Sequence, residues 1–356
     1  MAMQSVTAKA KPSLTSGSST PTRRRRRPRV GFAGIGWIGK NRLNAIRKAD
    51  IIELAAIADP RSETLAGVSR ELPGVTLHDR FESLLDEELD GVVIATPSAL
   101  HAQQSIQALK RGVAVFCQKP VGRDEEETRR VVETAAEQNL LLGVDFTYRQ
   151  TQAIQQLRKL VRRGDLGPIH AAELVFHNAW GPDKSWYHNR ELSGGGCLMD
   201  LGIHLIDLLY HVLDITPDTL KTVSSRVSHH GRPLDIHQNL VEDYATSLLL
   251  FEGGPSVQLS CSWNLPAGRD AVIGMTLYGE RGGVSFHNLK GSFYDFATDR
   301  FDGTETERLC GPPDDWEGRE AVRWARQLTH NPHFDPRAER LINVARTLDL
   351  IYQNSA

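Results

Sequence analysis

The feature that most constrains this chain is the run 29–50, RVGFAGIGWIGKNRLNAIRKAD. Its pattern predicts a short buried strand over Val30–Ala33, three glycines (Gly34, Gly36 and Gly39) spaced G-x-G-x-x-G, and a helix to about Ala49. One glycine makes a tight turn, one lets a pyrophosphate approach the backbone, and one lets helix pack on strand. The helix start at Trp37 and Ile38 then offers unpaired N–H groups to phosphate. A second strand, predicted over 52–58, ends at Asp59. A carboxylate there accepts from ribose hydroxyls and repels a 2′-phosphate, which favours NAD. Arg61, two residues on, is placed to receive such a phosphate, so NADP stays open.

The same alternation continues. A buried strand over 92–95 ends at Thr96 and Pro97, a helix carries His101 to Lys110, and Gly112 stops it. The run 113–117 predicts another strand, followed by Gln118, Lys119 and Pro120. Ligands of open parallel sheets sit beyond the carboxyl ends of the strands, which makes Thr96, Pro97, His101, Gln118 and Lys119 candidate cofactor contacts. A helix over about 124–139 and a strand over 140–146 complete a dinucleotide-binding Rossmann domain spanning 29–148.

Composition narrows the partners. The chain has 356 residues, enough for two domains, and a formal net charge of -2, which offers no broad grip on nucleic acid or anionic lipid. Its four cysteines form no C-x-x-C pair, which points to a reducing, cytoplasmic setting with neither disulfide framework nor zinc knuckle. No run reaches the ~18 consecutive apolar residues that suggest a membrane span. Residues 1–28 are polar, lack apolar periodicity and end in Arg23–Arg27, the composition of a disordered basic tail.

The chemistry is expected in the run 194–213, GGGCLMDLGIHLIDLLYHVL. On a continuous α-helix, Asp200, His204, Asp207 and His211 share one stripe roughly 60° wide, and the other faces are apolar. A stripe of Asp and His without Lys or Glu predicts a helix buried all round, its polar stripe lining a cleft or forming a satisfied internal network. His204, of ordinary pKa near ~6.5, suits proton transfer to or from a reacting hydroxyl, with Asp200 one turn away to orient the ring. The three glycines would let a ligand approach the backbone, and Asp207 and His211 read as supporting residues. No clear metal-ligand set accompanies them.

Beyond residue 149 the pattern changes to an α+β domain, 149–356. A helix over about 151–163 and a strand over 170–176 precede a loop bearing Trp180, Trp186, Tyr187 and Arg190, the predicted substrate contacts together with Arg149. Strands near 241–251, 256–263, 271–278 and 283–287 alternate apolar and polar residues and predict a large, mostly antiparallel open sheet. Helices over about 316–328 and 336–352 end the domain.

The elements GIGWIG, ADP at Asp59, ATPSALH, CQKP and GGGCLMDLGIH together resemble the glucose–fructose oxidoreductase, inositol dehydrogenase and MocA (Gfo/Idh/MocA) family, from about Arg29 to the C-terminus. The resemblance implies catalytic roles for Lys119, which would stabilise an alkoxide, and for Asp200 and His204 in proton transfer. It also implies a homodimer or homotetramer formed through the second sheet. One departure is Gln118, where the family pattern E-K-P has glutamate. The expected activity is NAD(P)-dependent hydride transfer at a hydroxyl or keto carbon of a sugar, inositol or related polyol. Two other readings fit these residues: a tight-cofactor enzyme that oxidises its sugar transiently, as a redox shuttle, lyase or hydrolase would, and a non-catalytic dinucleotide-binding sensor.

Overall fold

The computed structural model describes residues 26–234 and 239–355. It opens with β1 (Arg29–Ala33), α1 (Trp37–Ala49), β2 (Glu53–Ala58), α2 (Ser62–Glu71), β3 (Thr76–His78), α3 (Phe81–Leu84), β4 (Gly91–Ile94), α4 (Ser98–Lys110), β5 (Ala114–Cys117), α5 (Glu125–Glu137) and β6 (Leu142–Val144). The strands form one parallel sheet in the order β3-β2-β1-β4-β5-β6. Strands β4 and β5 are buried along their whole length, which explains their unbroken apolar runs. Strand β1 pairs with both β2 and β4, so the order reverses where the glycine turn leaves the sheet. Residues 62–84, unassigned in the sequence, supply the edge strand; β3 is three residues long and α2 fully buries only Val68, so neither has a strong pattern.

The chain then forms α6 (Gln152–Arg163), β7 (Ile169–Asn178), α7 (Arg190–Ser193), α8 (Ile203–Val212), β8 (Leu220–His229), β9 (Arg232–Pro233), β10 (Tyr244–Phe251), β11 (Ser256–Ser262), β12 (Ala271–Gly279), β13 (Gly282–Asn288), β14 (Phe296–Asp302), β15 (Glu305–Cys310), α9 (Arg319–His330) and α10 (Arg340–Gln353). Among the described residues, nine strands make the second sheet, in the order β15-β14-β13-β12-β7-β11-β10-β8-β9. All pairs are antiparallel except β7 with β11. Helices α6, α8 and α10 pack on one face. The apolar stretch Arg190–Val212 is long enough by composition to cross a bilayer, but 83% of its most apolar part is buried inside the fold, where it forms core.

Two expectations need correction. The last helices were assigned from sequence to the second domain alone, yet Ala321, Trp324, Ala325 and Leu328 of α9 join the core of the first. Trp324 lies against Phe116 at a ring distance of 5.6 Å. Gly91 and Gly143 make room for it, since a Cβ at either would come within 2.8 Å of the indole. At the N-terminus, Arg26 pairs with Asp90 and Arg27 with Asp50 on the surface of the first domain; Arg23, Arg24 and Arg25 lie outside the described residues.

Candidate active site

A cleft of about 910 Å³ runs from the glycine turn to the start of α8. At its nucleotide end, Gly34 has φ 84°, and a Cβ there would lie 2.6 Å from the Ala95 carbonyl oxygen. A Cβ at Gly39 would lie 2.1 Å from the Gly34 carbonyl oxygen, so this glycine closes α1 onto the turn. Gly36 faces open space within the cleft lining. The three positions thus form a cradle with two packed walls and one bare approach, a fit for a pyrophosphate. Asp59, 3% exposed, accepts from the Ile35 backbone N–H at 2.9 Å and from Arg61 Nε at 3.0 Å. Burial alone would raise this carboxyl, but the hydrogen bonds from Arg61 and Ile35 hold it below the usual range.

His101 also lines the cleft, but both ring nitrogens contact carbonyl oxygens, of Pro120 and of Thr96, each at 2.7 Å. It ties together the loops after β4 and β5, a structural task that differs from the expected cofactor contact. Thr96 Oγ1 donates to Gln104 at 2.6 Å.

At the other end, Lys119 Nζ donates to Asp200 at both the side-chain Oδ1 and the backbone carbonyl, each 2.6 Å away. Trp263 Nε1 donates to Asp200 Oδ2 at 3.1 Å. Asp200 is therefore committed to Lys119 and Trp263, and does not orient His204 as the sequence suggested. The reason is local: residues 198–202 form a π turn ahead of α8, so the even 100° stepping assumed for the whole run fails there.

His204 is 8% exposed, edge-on to Tyr148 at 5.0 Å and Phe146 at 6.1 Å. Neither ring nitrogen hydrogen-bonds to any of the described residues, and the side chain lines the cleft. Burial, with Lys119 and Arg42 adding positive charge nearby, pushes its pKa well below the ordinary histidine value. The ring is thus a neutral imidazole, not a group balanced near neutrality.

The three glycines before this turn have packing reasons. A Cβ at Gly194 would meet Arg123, one at Gly195 the Tyr352 hydroxyl, and one at Gly196 the Glu242 carbonyl. Glu242, fully buried, accepts through Oε1 from the backbone N–H groups of Gly196 and Leu198 at 2.9 Å and from Tyr352 at 2.8 Å. Close approach here serves the protein's own carboxylate, and Gly195 alone of the three lines the cleft.

Of the predicted substrate contacts, Trp186 and Tyr187 line the cleft, stacked at 3.8 Å. Trp180, Arg190 and Arg149 do not. Trp180 is 63% exposed beyond the cleft, and the Arg190 guanidinium lies 4.8 Å over the Tyr352 ring. Arg149 is bound bidentately to the buried Asp207, with Nε 2.8 Å from Oδ2. That pair explains Asp207 as an internal partner for Arg149. His211, driven by burial to a pKa of about 2, is likewise structural.

Several lining residues escaped the sequence reading. Arg42 and Asp145 come from α1 and the end of β6, while Tyr294, Trp316 and Glu317 come from loops near the C-terminus. Arg42 carried one signal, a charged side chain one turn past Gly39 on a helix that must pack closely; the loop residues carried none.

Residues 28–146 match the family described as "Oxidoreductase family, NAD-binding Rossmann fold", and residues 154–285 match the "GFO/IDH/MocA C-terminal domain". A putative UDP-kanosamine synthase oxidoreductase subunit of Amycolatopsis mediterranei (strain S699) is 32% identical, over 69% of this chain and 71% of its own length. D-glucoside 3-dehydrogenase of Escherichia coli (strain K12) is 26% identical, over 72% of this chain and 76% of its own. Among solved structures, levoglucosan dehydrogenase in complex with NADH and L-sorbose superposes with a TM-score of 0.79 at 21% identity, covering 93% of this chain and 97% of that one, which shows a shared fold.

Proposed function

Because the chain belongs to the Gfo/Idh/MocA oxidoreductases, a family with an NAD-binding Rossmann domain whose members act on CH–OH groups, we propose that it moves a hydride between nicotinamide and a hydroxyl-bearing or keto carbon of a sugar or related polyol. The observation that carries this reading is the meeting of three groups in the cleft that begins at the glycine cradle: the Lys119 ammonium, the Asp200 carboxylate that holds it, and an imidazole at His204 with no hydrogen-bond partner among the described residues.

When bound, nicotinamide supplies the hydride acceptor or donor. The protein's own groups handle the oxygen and its proton. Lys119 donates to the reacting oxygen and stabilises negative charge as it develops there. Asp200 fixes the direction of that ammonium, and Trp263 fixes Asp200. His204, neutral, accepts the hydroxyl proton during oxidation and returns it during reduction. Its depressed basicity keeps the ring free of a proton before substrate arrives. The stacked Trp186 and Tyr187, with Trp316 and Tyr294 also lining the cleft, offer flat apolar faces suited to a sugar ring, and Glu317 offers an acceptor for hydroxyls.

Asp59, nearly buried and facing the cleft, favours NAD over NADP, with Arg61 as its modulator. The outward face of the second sheet, where Leu248, Leu250 and Tyr278 are each more than a third exposed, supports a homo-oligomer.

The test is a panel of sugars, inositols and sugar acids, offered with NAD and NADP in both directions and followed by nicotinamide absorbance. Turnover that disappears in His204→Ala while cofactor still binds is the expected result. A panel with no redox change under any condition would overturn the dehydrogenase reading.

A further inference from the structure

The redox end of the cleft holds a buried charge arrangement that proton transfer alone does not require. Arg42, with 4% of its side chain exposed, places Nε 2.5 Å from Asp145 Oδ2, and Asp145 is fully buried. Gln118 Nε2 donates to the same oxygen at 2.6 Å. Asp145 Oδ1 is buried without a hydrogen-bond partner among the described residues, so this carboxylate depends on the Arg42 charge and the Gln118 amide. All three residues line the cleft beside Lys119 and His204. The two cations nearest His204 thus have one carboxylate each, Arg42 with Asp145 and Lys119 with Asp200, and His204 is neutral.

Gln118 completes the balance. A glutamate there, as the family resemblance leads one to expect, would put a second carboxylate beside Asp145 in a site with little water to screen it. Glutamine keeps the reach and donates a hydrogen bond without adding charge.

We propose that Arg42, Asp145 and Gln118 keep this corner of the cleft electrically neutral and thereby set the protein's relative affinity for oxidised and reduced nicotinamide. The inference rests on the nicotinamide reading of the cleft. The oxidised ring carries a unit positive charge and the reduced ring none, so a fixed charge nearby acts chiefly on one form. Arg42 by itself opposes the oxidised form, Asp145 by itself favours it, and together they cancel.

The experiment measures Kd for NAD⁺ by calorimetry and for NADH by fluorescence on the full chain, and reads the ratio Kd(NAD⁺)/Kd(NADH). Asp145→Asn should raise that ratio about tenfold and Arg42→Gln should lower it about tenfold. The double variant, which leaves no buried charge unpaired, should return within about threefold of the unaltered protein. Gln118→Glu, which leaves the Arg42–Asp145 pair in place, should lower the ratio when measured at alkaline pH, where the two carboxyls share no proton; this variant keeps the question decidable if a single charge-unpairing variant does not fold. Equal weakening of both forms in every variant, or a ratio that does not move, would overturn the inference and assign the network to packing. Unaltered protein that binds neither form would overturn the nicotinamide reading, and this inference with it.

Discussion

The two ends of the cleft are built on different plans. The nucleotide end is shaped chiefly by the stretch 34–61, packed against Ala95, in which Gly34, Gly36 and Gly39 shape backbone and Asp59 braces the turn through the Ile35 N–H. The redox end is made of side chains from five separate segments, at Arg42, Lys119, Asp145, Asp200 and Trp263, joined by hydrogen bonds of 2.5–3.1 Å. Backbone recognition tolerates most side-chain changes and fails when a Cβ intrudes. Side-chain recognition fails one partner at a time, and a change that unpairs no buried charge leaves the fold in place. The comparison teaches where each kind of damage should appear.

The largest separation between the two ends should come from Lys119→Met and His204→Ala. Each should lower kcat about 10²- to 10⁴-fold, and in His204→Ala, which unpairs no charge, NAD binding should change by less than about threefold, measured by steady-state kinetics beside cofactor titration. Equal losses in both quantities would mean that the two ends are not separable.

Within the nucleotide end, Gly39→Ala and Gly36→Ala should divide. A Cβ at position 39 collides with backbone, and its cost of more than about 2 kcal/mol should show as a lowered Tm. A Cβ at 36 meets none of the described residues within 4 Å, so Tm should hold while cofactor affinity falls. If Gly36→Ala left affinity unchanged, the bare approach would have no ligand to admit.

A smaller effect is expected at Arg61, whose side chain is 62% exposed. Arg61→Ala should reduce kcat/KM with NADP about tenfold and leave NAD within about threefold, since only the 2′-phosphate needs the guanidinium.

A further effect spans both ends and concerns pH. His101 and His204 are held below the ordinary histidine pKa by burial, and His211 is held at about 2. Below the unfolded-state pKa near ~6.5 the unfolded chain binds protons that these folded residues refuse, so stability is fully present above that pH and declines as pH falls. Urea midpoints between pH 7 and pH 5 should therefore decrease, and His211→Gln should flatten the slope provided it folds.

The nucleotide end was legible from sequence because its determinants are local. Turn, helix start and acidic residue lie within the run 29–61, and the strand–glycine–helix–strand order is a statement about neighbours. Lys119, Asp200 and His204 were legible as residues but not as a geometry. Regular helix stepping assigned Asp200 to His204, whereas the π turn over Leu198–Gly202 gives it to Lys119 and Trp263. Arg149 and Arg190 looked like ligand contacts because their side chains are able to bind anions, but the fold had already paired them with Asp207 and Tyr352.

The sequence by itself determined the fold class and the glycine turn, and marked Lys119, Asp200 and His204 as candidates that the fold brings to one cleft, because short-range periodicity and spacing encode them. Only the tertiary structure decided which charges neutralise one another. The Arg42–Asp145 pair spans residues 103 apart, and Trp324 returns from the end of the chain to fill the first domain. Such pairings depend on how sheets and helices pack, and that packing has no period along the chain.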